Sequence, residues 1–585
     1  MDSFENQASK DGFSMKLWRG ERMCLIGFDV THPEPDFVGF AIECRSPGDT
    51  EFNPLLNRIA FSYDTPTTTA VTGARKFPST EAPFQKFRWI HFPHDPQSGT
   101  YTYRGTKMHM PKDGVLEKGS SIELNISLDP ITFHGFLDVG FTRNFASSQA
   151  FLDKFKDIPE IDKVGKKIIP SSADDGLSFQ KMDGDIYRWL GFEAFDLIFK
   201  FLAEAVSDEQ IELDVFAYDL NEPEIVKQLE QLGSRLRVII DDSITNKDGK
   251  TTGHGIADSA ESQSTERLRA SAGKNNVKRT HFSNLQHHKV FIAKRKGVPF
   301  KVLAGSTNFS FRGIYIQANN VLVFDETTIA KLFSDVFEVA FENPSAFNSD
   351  ELASKWHLVK VDGKPPVHFC FSPHKAADLS LNPLRGAIDL ASSSVLYSIA
   401  FLNQIKSGPT KEALDRVMKR PVFSYGVADK ASNLEVRKPD GSIGLVDFAY
   451  LADHAPEPFK SEWSGGKGIN IHHKFVVTDF SLPTAKVFTG SSNLSPSGEE
   501  GNGDHLIMIE DRKLAISYAV EALRIFDHLH FRSTMKAATE SKKDKMVATK
   551  LELQKPKAIS GKEAWFEKYY VSASQKERDR KLFSS

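Results

Sequence analysis

HHKVFIAKRKGVPFKVLAGSTNFSFRG, residues 287–313, aligns without a gap on HHKFVVTDFSLPTAKVFTGSSNLSPSG, residues 472–498, at an offset of 185 residues. His287 and Lys289 fall on His472 and Lys474, and Gly305, Ser306 and Asn308 fall on Gly490, Ser491 and Asn493. The residues between are apolar in both copies, as two strands joined by a turn require. A single His-x-Lys arises readily by chance. Two copies, each followed at one distance by Gly-Ser-x-Asn, mark an internal duplication that has kept His, Lys, Ser and Asn, which packing alone does not favour.

Around the repeat the chain shows an α/β texture twice. FEAFDLIFKFLAEAV, IELDVFAYDL and RLRVIID precede the first copy, and VHFCFSP, VLYSIAFLN, KEALDRVMKR and PVFSYGVAD precede the second. Helical and strand patterns alternate in both. Residues 1–150 instead read as short strands split by Gly, Pro, Asp and Asn, such as RMCLIGFDV, DFVGFAIEC and SSIELNISL, the pattern of a β-sandwich of immunoglobulin or fibronectin type. This unit reads as a docking or stabilising module, and its loops lack the dense Asp cluster of a calcium site. A linker, KVGKKIIPSSADDG, joins it to the α/β region, and the tail 536–585 is charged and then aromatic (AWFEKYY).

Composition narrows the class. With 585 residues the chain needs several domains. Forty-six phenylalanines can build large aromatic cores. A formal net charge of −3 gives no global signature of a nucleic-acid or membrane-surface binder. Three cysteines are too few for a disulfide framework. The start, MDSFENQASKDGFS, has no basic-then-apolar leader, and no stretch reaches the ~20 apolar residues of a membrane helix. These features point to a soluble protein made in the cytoplasm, with non-classical export left open. Since both motifs lie in one chain, a monomer suffices.

The motifs resemble those of the phospholipase D superfamily, H-x-K-x4-D followed by G-S-x-N. The second copy matches in full with His472, Lys474, Asp479, Gly490, Ser491 and Asn493, whereas the first has Lys294 in place of the acid. The resemblance implies two α/β halves, 175–350 and 365–535, in a pseudo-twofold arrangement after the β-sandwich. It also implies that both His-x-Lys pairs meet on one phosphate. His287 would then be the nucleophile and His472 the acid and later the base, with a phosphohistidine between the two steps. Lys289 and Lys474 would hold the non-bridging oxygens, with Ser306, Asn308, Ser491 and Asn493 as neutral donors. No cofactor is called for, and no metal-ligand cluster stands out in the sequence.

Family members carry an acid shortly after G-S-x-N that hydrogen-bonds a catalytic histidine. GNGDHLIMI supplies Asp504 in the second copy, and the aligned residue in QANNVLVF is Asn319. If the pairing crosses the halves, Asp504 serves His287 and Asn319 serves His472. A carboxylate partner makes His287 the better nucleophile, and an amide leaves His472 the readier acid.

Substrate class is less sharply written. Between Arg267 and Val323 stand Arg267, Arg269, Lys274, Lys278, Arg279, Lys289, Lys294, Arg295, Lys296, Lys301 and Arg312, with no Asp or Glu. They form either a solvated loop with one site lysine, or a positive rim for a polyanion or an anionic lipid surface. Polar stretches 244–284 and 430–469 read as long loops over the site, where selectivity resides. A phospholipid head-group bond is the first expectation, a metal-independent nuclease acting on DNA or RNA the second, and a catalytically silent phosphate-binding module the third.

Overall fold

The computed structural model describes residues 4–62, 76–144, 185–432, 434–447, 470–540 and 552–585, with short pieces between 151 and 181. The linker expected near 163–176 lies mostly outside these residues. So do most of the second long loop (448–469) and the charged stretch 541–551.

Strand alternation builds the N-terminal unit. In Glu117–Ser127, Ile122, Leu124 and Ile126 are buried while Glu123 and Asn125 face solvent. Four strands, Glu5–Lys10, Phe13–Gly20, Met23–Val30 and Arg88–His91, form one antiparallel sheet. Glu117–Ser127, Thr100–His109, Phe37–Arg45 and Asn53–Pro54 form another. Phe13, Phe28 and Phe40 stack in their shared core, Phe28 and Phe40 with ring centroids 4.2 Å apart.

Beyond it lie two eight-stranded mixed sheets of identical order. The first runs Ile131–Phe133, Leu137–Phe141, Asn320–Phe324, Val298–Gly305, Val290–Arg295, Ile211–Ala217, Leu236–Ile240 and Val277–Arg279. The second runs His357–Val359, Val367–Ser372, Asp504–Ile509, Lys486–Gly490, Lys474–Thr478, Ser394–Ile399, Phe423–Ala428 and Leu445–Asp447. Central strands such as Lys474–Thr478 and Asp504–Ile509 are buried along their whole length, which explains their continuous apolar reading.

This order corrects two expected boundaries. The β-sandwich does not extend to residue 150. Leu137–Phe141 pairs antiparallel with Asn320–Phe324, so Ile131–Phe141 belongs to the first α/β sheet. The second α/β unit likewise begins before residue 365, with His357–Val359 paired to Val367–Ser372. Both sheets thus open with an antiparallel hairpin on the edge next to the last strand of the unit. The aromatic tail packs where an anchor is expected. Trp565 stacks on Phe87 at 5.3 Å in the sandwich core, and the terminal helix Gln575–Ser584 puts Phe583 against Phe480 of the second α/β unit. Trp18 of the sandwich donates its indole N–H to the Phe583 carbonyl at 2.8 Å, tying three regions together.

Lys294 has its own account. In the second unit Asp479 accepts backbone N–H groups of Ser392, Ser393 and Ser394, capping the entry to strand Ser394–Ile399. In the first unit Lys294 reaches across to Asp214 of the neighbouring strand at 2.6 Å, and Arg237 holds the same carboxylate at 2.8 Å. The charge sign is inverted, and the function is strand-to-strand pairing instead of loop capping. Asp214 is 1% exposed, so the pair is nearly dry. Restoring the motif acid with Lys294→Asp should therefore destabilise the protein by about 3 kcal/mol or more, because it sets two buried carboxylates together. Asp479→Ala should cost about 2 kcal/mol through lost backbone partners. Urea denaturation of both variants checks the pair.

Candidate active site

The two copies of the repeat meet through reciprocal backbone bridges. His287 N–H donates to Gly503 O at 2.9 Å and Gly503 N–H to Leu285 O at 2.8 Å. In the other direction His472 N–H donates to Ala318 O at 3.0 Å and Ala318 N–H to Asn470 O at 2.7 Å. Adding the 185-residue offset to one bridge gives the other. Each motif histidine therefore lies just before a strand of its own unit while being held by the segment that precedes the last strand of the opposite unit.

Local sequence sets the approach. Gly305 and Gly490 adopt φ of +142° and +141°, and a Cβ there would lie 2.5 Å from Asn320 O and 2.3 Å from His505 O. Only glycine lets the Gly-Ser-x-Asn turn come this close to the following strand. Ser306 and Ser491 are then locked, each hydroxyl accepting the backbone N–H of that strand at 3.0 Å, from Asn320 and His505 respectively.

The side chains cross over in the same way. His287 Nδ1 lies 2.7 Å from Asp504 Oδ1, and His472 Nδ1 lies 2.9 Å from Asn319 Oδ1. Asn319 cannot turn its amide, because its Nδ2 donates to Gly313 O at 2.8 Å and its Oδ1 also accepts from Ser306 Oγ at 2.9 Å. Each imidazole therefore donates from Nδ1 and keeps its Nε2 lone pair as an acceptor, which at His472 faces Lys474 Nζ. Lys289 donates to the His287 carbonyl, and Lys474 Nζ lies 3.0 Å from the His472 carbonyl and 3.1 Å from His472 Nε2. The four side chains are all less than 5% exposed.

Burial decides the electrostatics. It draws His287 down to about 4 in spite of Asp504, and the two ammonium groups add to the effect. Burial, with Lys474, Lys289 and His287 alongside, also puts His472 well below the usual imidazole range. Lys289 falls to about 7 through burial, and Lys474 falls well below the lysine range through burial and the proximity of Lys289. Asp504 stays ionised, held well below the carboxylate range by His287 and Lys289 against burial. The site is thus short of negative charge, and an entering anion relieves it.

The two His-x-Lys pairs, Asp504, Asn319, Ser306 and Ser491 are joined by these contacts, whereas Asp479 caps the strand entry described above. Asn308 and Asn493 each present a buried Oδ1 with no hydrogen-bond partner. The basic run reads differently in space. Arg267 pairs with Glu230, Arg269 with Glu266, Lys294 with Asp214, Arg295 with Asp208 and Lys301 with Glu204. Five of its eleven cations are thus met by carboxylates, four of them from outside the stretch's immediate neighbourhood, and a continuous positive rim is not formed.

Sequence reading missed several site neighbours. Tyr218 sits edge-on to His287 at 4.7 Å and under Lys289 at 4.7 Å, while Phe401 sits edge-on to His472 at 6.0 Å. Asp219 accepts from Asn308 Nδ2 at 2.5 Å and lies 3.1 Å from His254 Nε2. Asp241 accepts Gln286 N–H at 2.7 Å, and Asp429 accepts Asn470 and Ile471 N–H in the corresponding place. Their signal was position: each directly follows a parallel strand, at the carboxyl end where α/β sheets bind ligands. Asp219, His254 and Glu261 also bring one possible metal-ligand atom each within 4.8 Å of one another.

Residues 201–340 match a family model described as cardiolipin synthase, PLD-like domain. Solved structures similar to the chain include a phosphatidylserine synthase from Haemophilus influenzae Rd KW20. It is 13% identical over 60% of this chain and 92% of that one, with a TM-score of 0.38. Nuc from Salmonella typhimurium, a phospholipase D family member, is 19% identical over 24% of this chain and 86% of its own, with a TM-score of 0.19. Polyphosphate kinase from Porphyromonas gingivalis is 11% identical over 54% of this chain, which spans 42% of the kinase, with a TM-score of 0.33. No curated protein matches the sequence. Among the described residues no helix is long and apolar enough to cross a membrane.

The electrostatics set a pH window. An attacking His287 would have to be neutral and an anion-holding Lys289 charged, so an activity that uses them should fall as pH drops through about 4 and as it rises through about 7. A plot of kcat/KM against pH, which reports the free enzyme, should be bell-shaped between those limbs. Lys289→Arg should push the alkaline limb upward, since arginine stays charged.

Proposed function

We propose that this chain, a member of the phospholipase D superfamily by its matched domain, cleaves a phosphodiester through a phosphohistidine on His287. The observation that carries the reading is the unequal crossed pair, a carboxylate behind His287 and an amide behind His472. Two α/β units in pseudo-twofold arrangement would then share one phosphate, with Lys289 and Lys474 on its non-bridging oxygens.

In the first step the His287 Nε2 lone pair forms an N–P bond, the P–O bond to the leaving alcohol breaks, and that oxygen takes a proton from His472 Nε2. The anionic phosphate restores the proton affinity that burial removes from His472, so the acid is charged when substrate is bound. In the second step His472 takes a proton from water, the water oxygen bonds to phosphorus and the N–P bond breaks. An alcohol in place of water gives transfer. Asp504 stabilises the positive charge that develops on His287 during attack. A catalytically silent module would have no use for this asymmetry.

A phospholipid head-group bond is the preferred substrate within this reading. Nucleic-acid binding draws on rows of unpaired cations, and the basic stretch spends much of its charge on Glu204, Asp208, Asp214, Glu230 and Glu266. The N-terminal β-unit, tied to the second α/β unit by Trp18 and Phe583, would act as a stabilising module.

Bis-p-nitrophenyl phosphate, whose leaving group needs no acid, separates the two histidines. In EDTA the wild type should turn over continuously. His287→Ala should release no nitrophenolate above background, a loss of about a thousandfold or more. His472→Ala should give a burst near one equivalent per site and then stall, with label retained on His287. Steady turnover in both variants would place the chemistry elsewhere.

A further inference from the structure

The crossed pairs account for both histidines but leave one polar cluster on the first α/β unit unexplained. Asp219, at the end of strand Ile211–Ala217, accepts Asn308 Nδ2 on one oxygen and faces His254 Nε2 with the other. His254 is fixed from behind, its Nδ1 2.8 Å from Asp241 Oδ2, and Asp241 is fully buried. The Asp219 side chain remains 28% exposed. It is also near enough to feel the charges of Lys289 and His287. Beside it Asn308 Oδ1 is buried without a hydrogen-bond partner among the described residues. The second unit has Phe401 at the matching place past strand Ser394–Ile399, against His472 and under Lys474, whereas the aromatic contact of the first unit comes from Tyr218. Both units thus bring an aromatic ring to the site, and the first adds the Asp219 carboxylate.

A buried carbonyl oxygen without a donor costs free energy until something supplies one. A carboxylate has about four acceptor sites, and the contacts above use two of those on Asp219. What is missing beside the phosphate is therefore a group with hydrogen-bond donors. We propose that Asp219 and Asn308 Oδ1 form an acceptor subsite for an alcohol arm of the phosphodiester that carries its own donors, a primary ammonium or hydroxyl head group and not a quaternary ammonium. The inference rests on the lipid head-group reading above. A divalent metal suits the cluster less well. Asp219 and Asp241 already hold both His254 ring nitrogens, at 3.1 and 2.8 Å.

The test uses the full chain in EDTA with vesicles of phosphatidylethanolamine, phosphatidylglycerol or phosphatidylcholine of identical acyl chains, measuring released head group by mass spectrometry. The ethanolamine or glycerol lipid should exceed the choline lipid in kcat/KM by about tenfold or more, the worth of one charge-assisted hydrogen bond. The ethanolamine and glycerol arms separate ammonium from hydroxyl recognition. In Asp219→Asn, checked for folding by its melting temperature, that ratio should shrink towards one. A wild type that cleaves bis-p-nitrophenyl phosphate but takes choline lipid as well as the others, or takes no lipid, overturns the subsite and leaves phosphodiester cleavage standing. A loss in Asp219→Asn by one common factor for all three lipids makes Asp219 a support for Asn308 only, and also overturns it. Saturable zinc binding that is lost in Glu261→Gln assigns the cluster to a metal instead. No cleavage of any ester removes this inference and the proposed function together.

Discussion

The hydrogen bond between His287 and Asp504 can exist only if the two α/β units stay face to face. The histidine lies just before strand Val290–Arg295 of the first sheet, and the carboxylate begins the last strand of the second. Neither group has an equivalent partner within its own unit. Burial makes this dependence severe, since Asp504 is fully enclosed and an uncompensated carboxylate in such surroundings costs several kcal/mol. The reciprocal bridges at Gly503 and Ala318 therefore serve a chemical end as well as a structural one, because they set the distance on which the charge balance rests.

The same arrangement explains why duplication followed by divergence gives two roles from one motif. The paired strands, the glycine turns and the serine locks are alike in both units, so both imidazoles are held through Nδ1 with Nε2 as the acceptor nitrogen. What differs is one residue on each side, Asp504 against Asn319. A charged partner favours the imidazole that must become positive on attack, and a neutral one favours an imidazole that must give its proton away. Lys294 shows divergence in a structural contact. Asp479 caps a loop at a distance from the histidines, and the first unit solves the same edge with an inverted ion pair to Asp214.

How much of this was legible in the sequence follows from which signals repeat. His287, Lys289, Ser306 and Asn308 were readable because a second copy at a fixed offset repeats them, and the crossed partners were readable because Asp504 and Asn319 align. Single-copy features had no such witness. Tyr218, Asp219 and His254 occur once and look like ordinary strand-end and loop residues. The hairpin Ile131–Phe141 alternates as well for one sheet as for another, and only its long-range pairing with Asn320–Phe324 assigns it. The basic run left two readings open because charge was read along the chain, whereas its carboxylate partners come from Glu204, Asp208, Asp214 and Glu230, between 37 and 97 positions away.

The asymmetry that sorts the histidines extends to the walls around them, and this bears on substrate more directly than net charge does. A nucleic acid presents chemically similar sugars on both sides of its phosphate, so two matched walls would serve it. Here both units place an aromatic ring, Tyr218 or Phe401, and an asparagine at the site, and the first adds the Asp219–His254 pair. A diester with one arm rich in donors meets that added carboxylate without leaving an acceptor unpaired. In the proposed reading, the difference that separates nucleophile from acid thus has a counterpart in binding: a site that is pseudo-symmetric in its backbone carries an added carboxylate, Asp219, on one side.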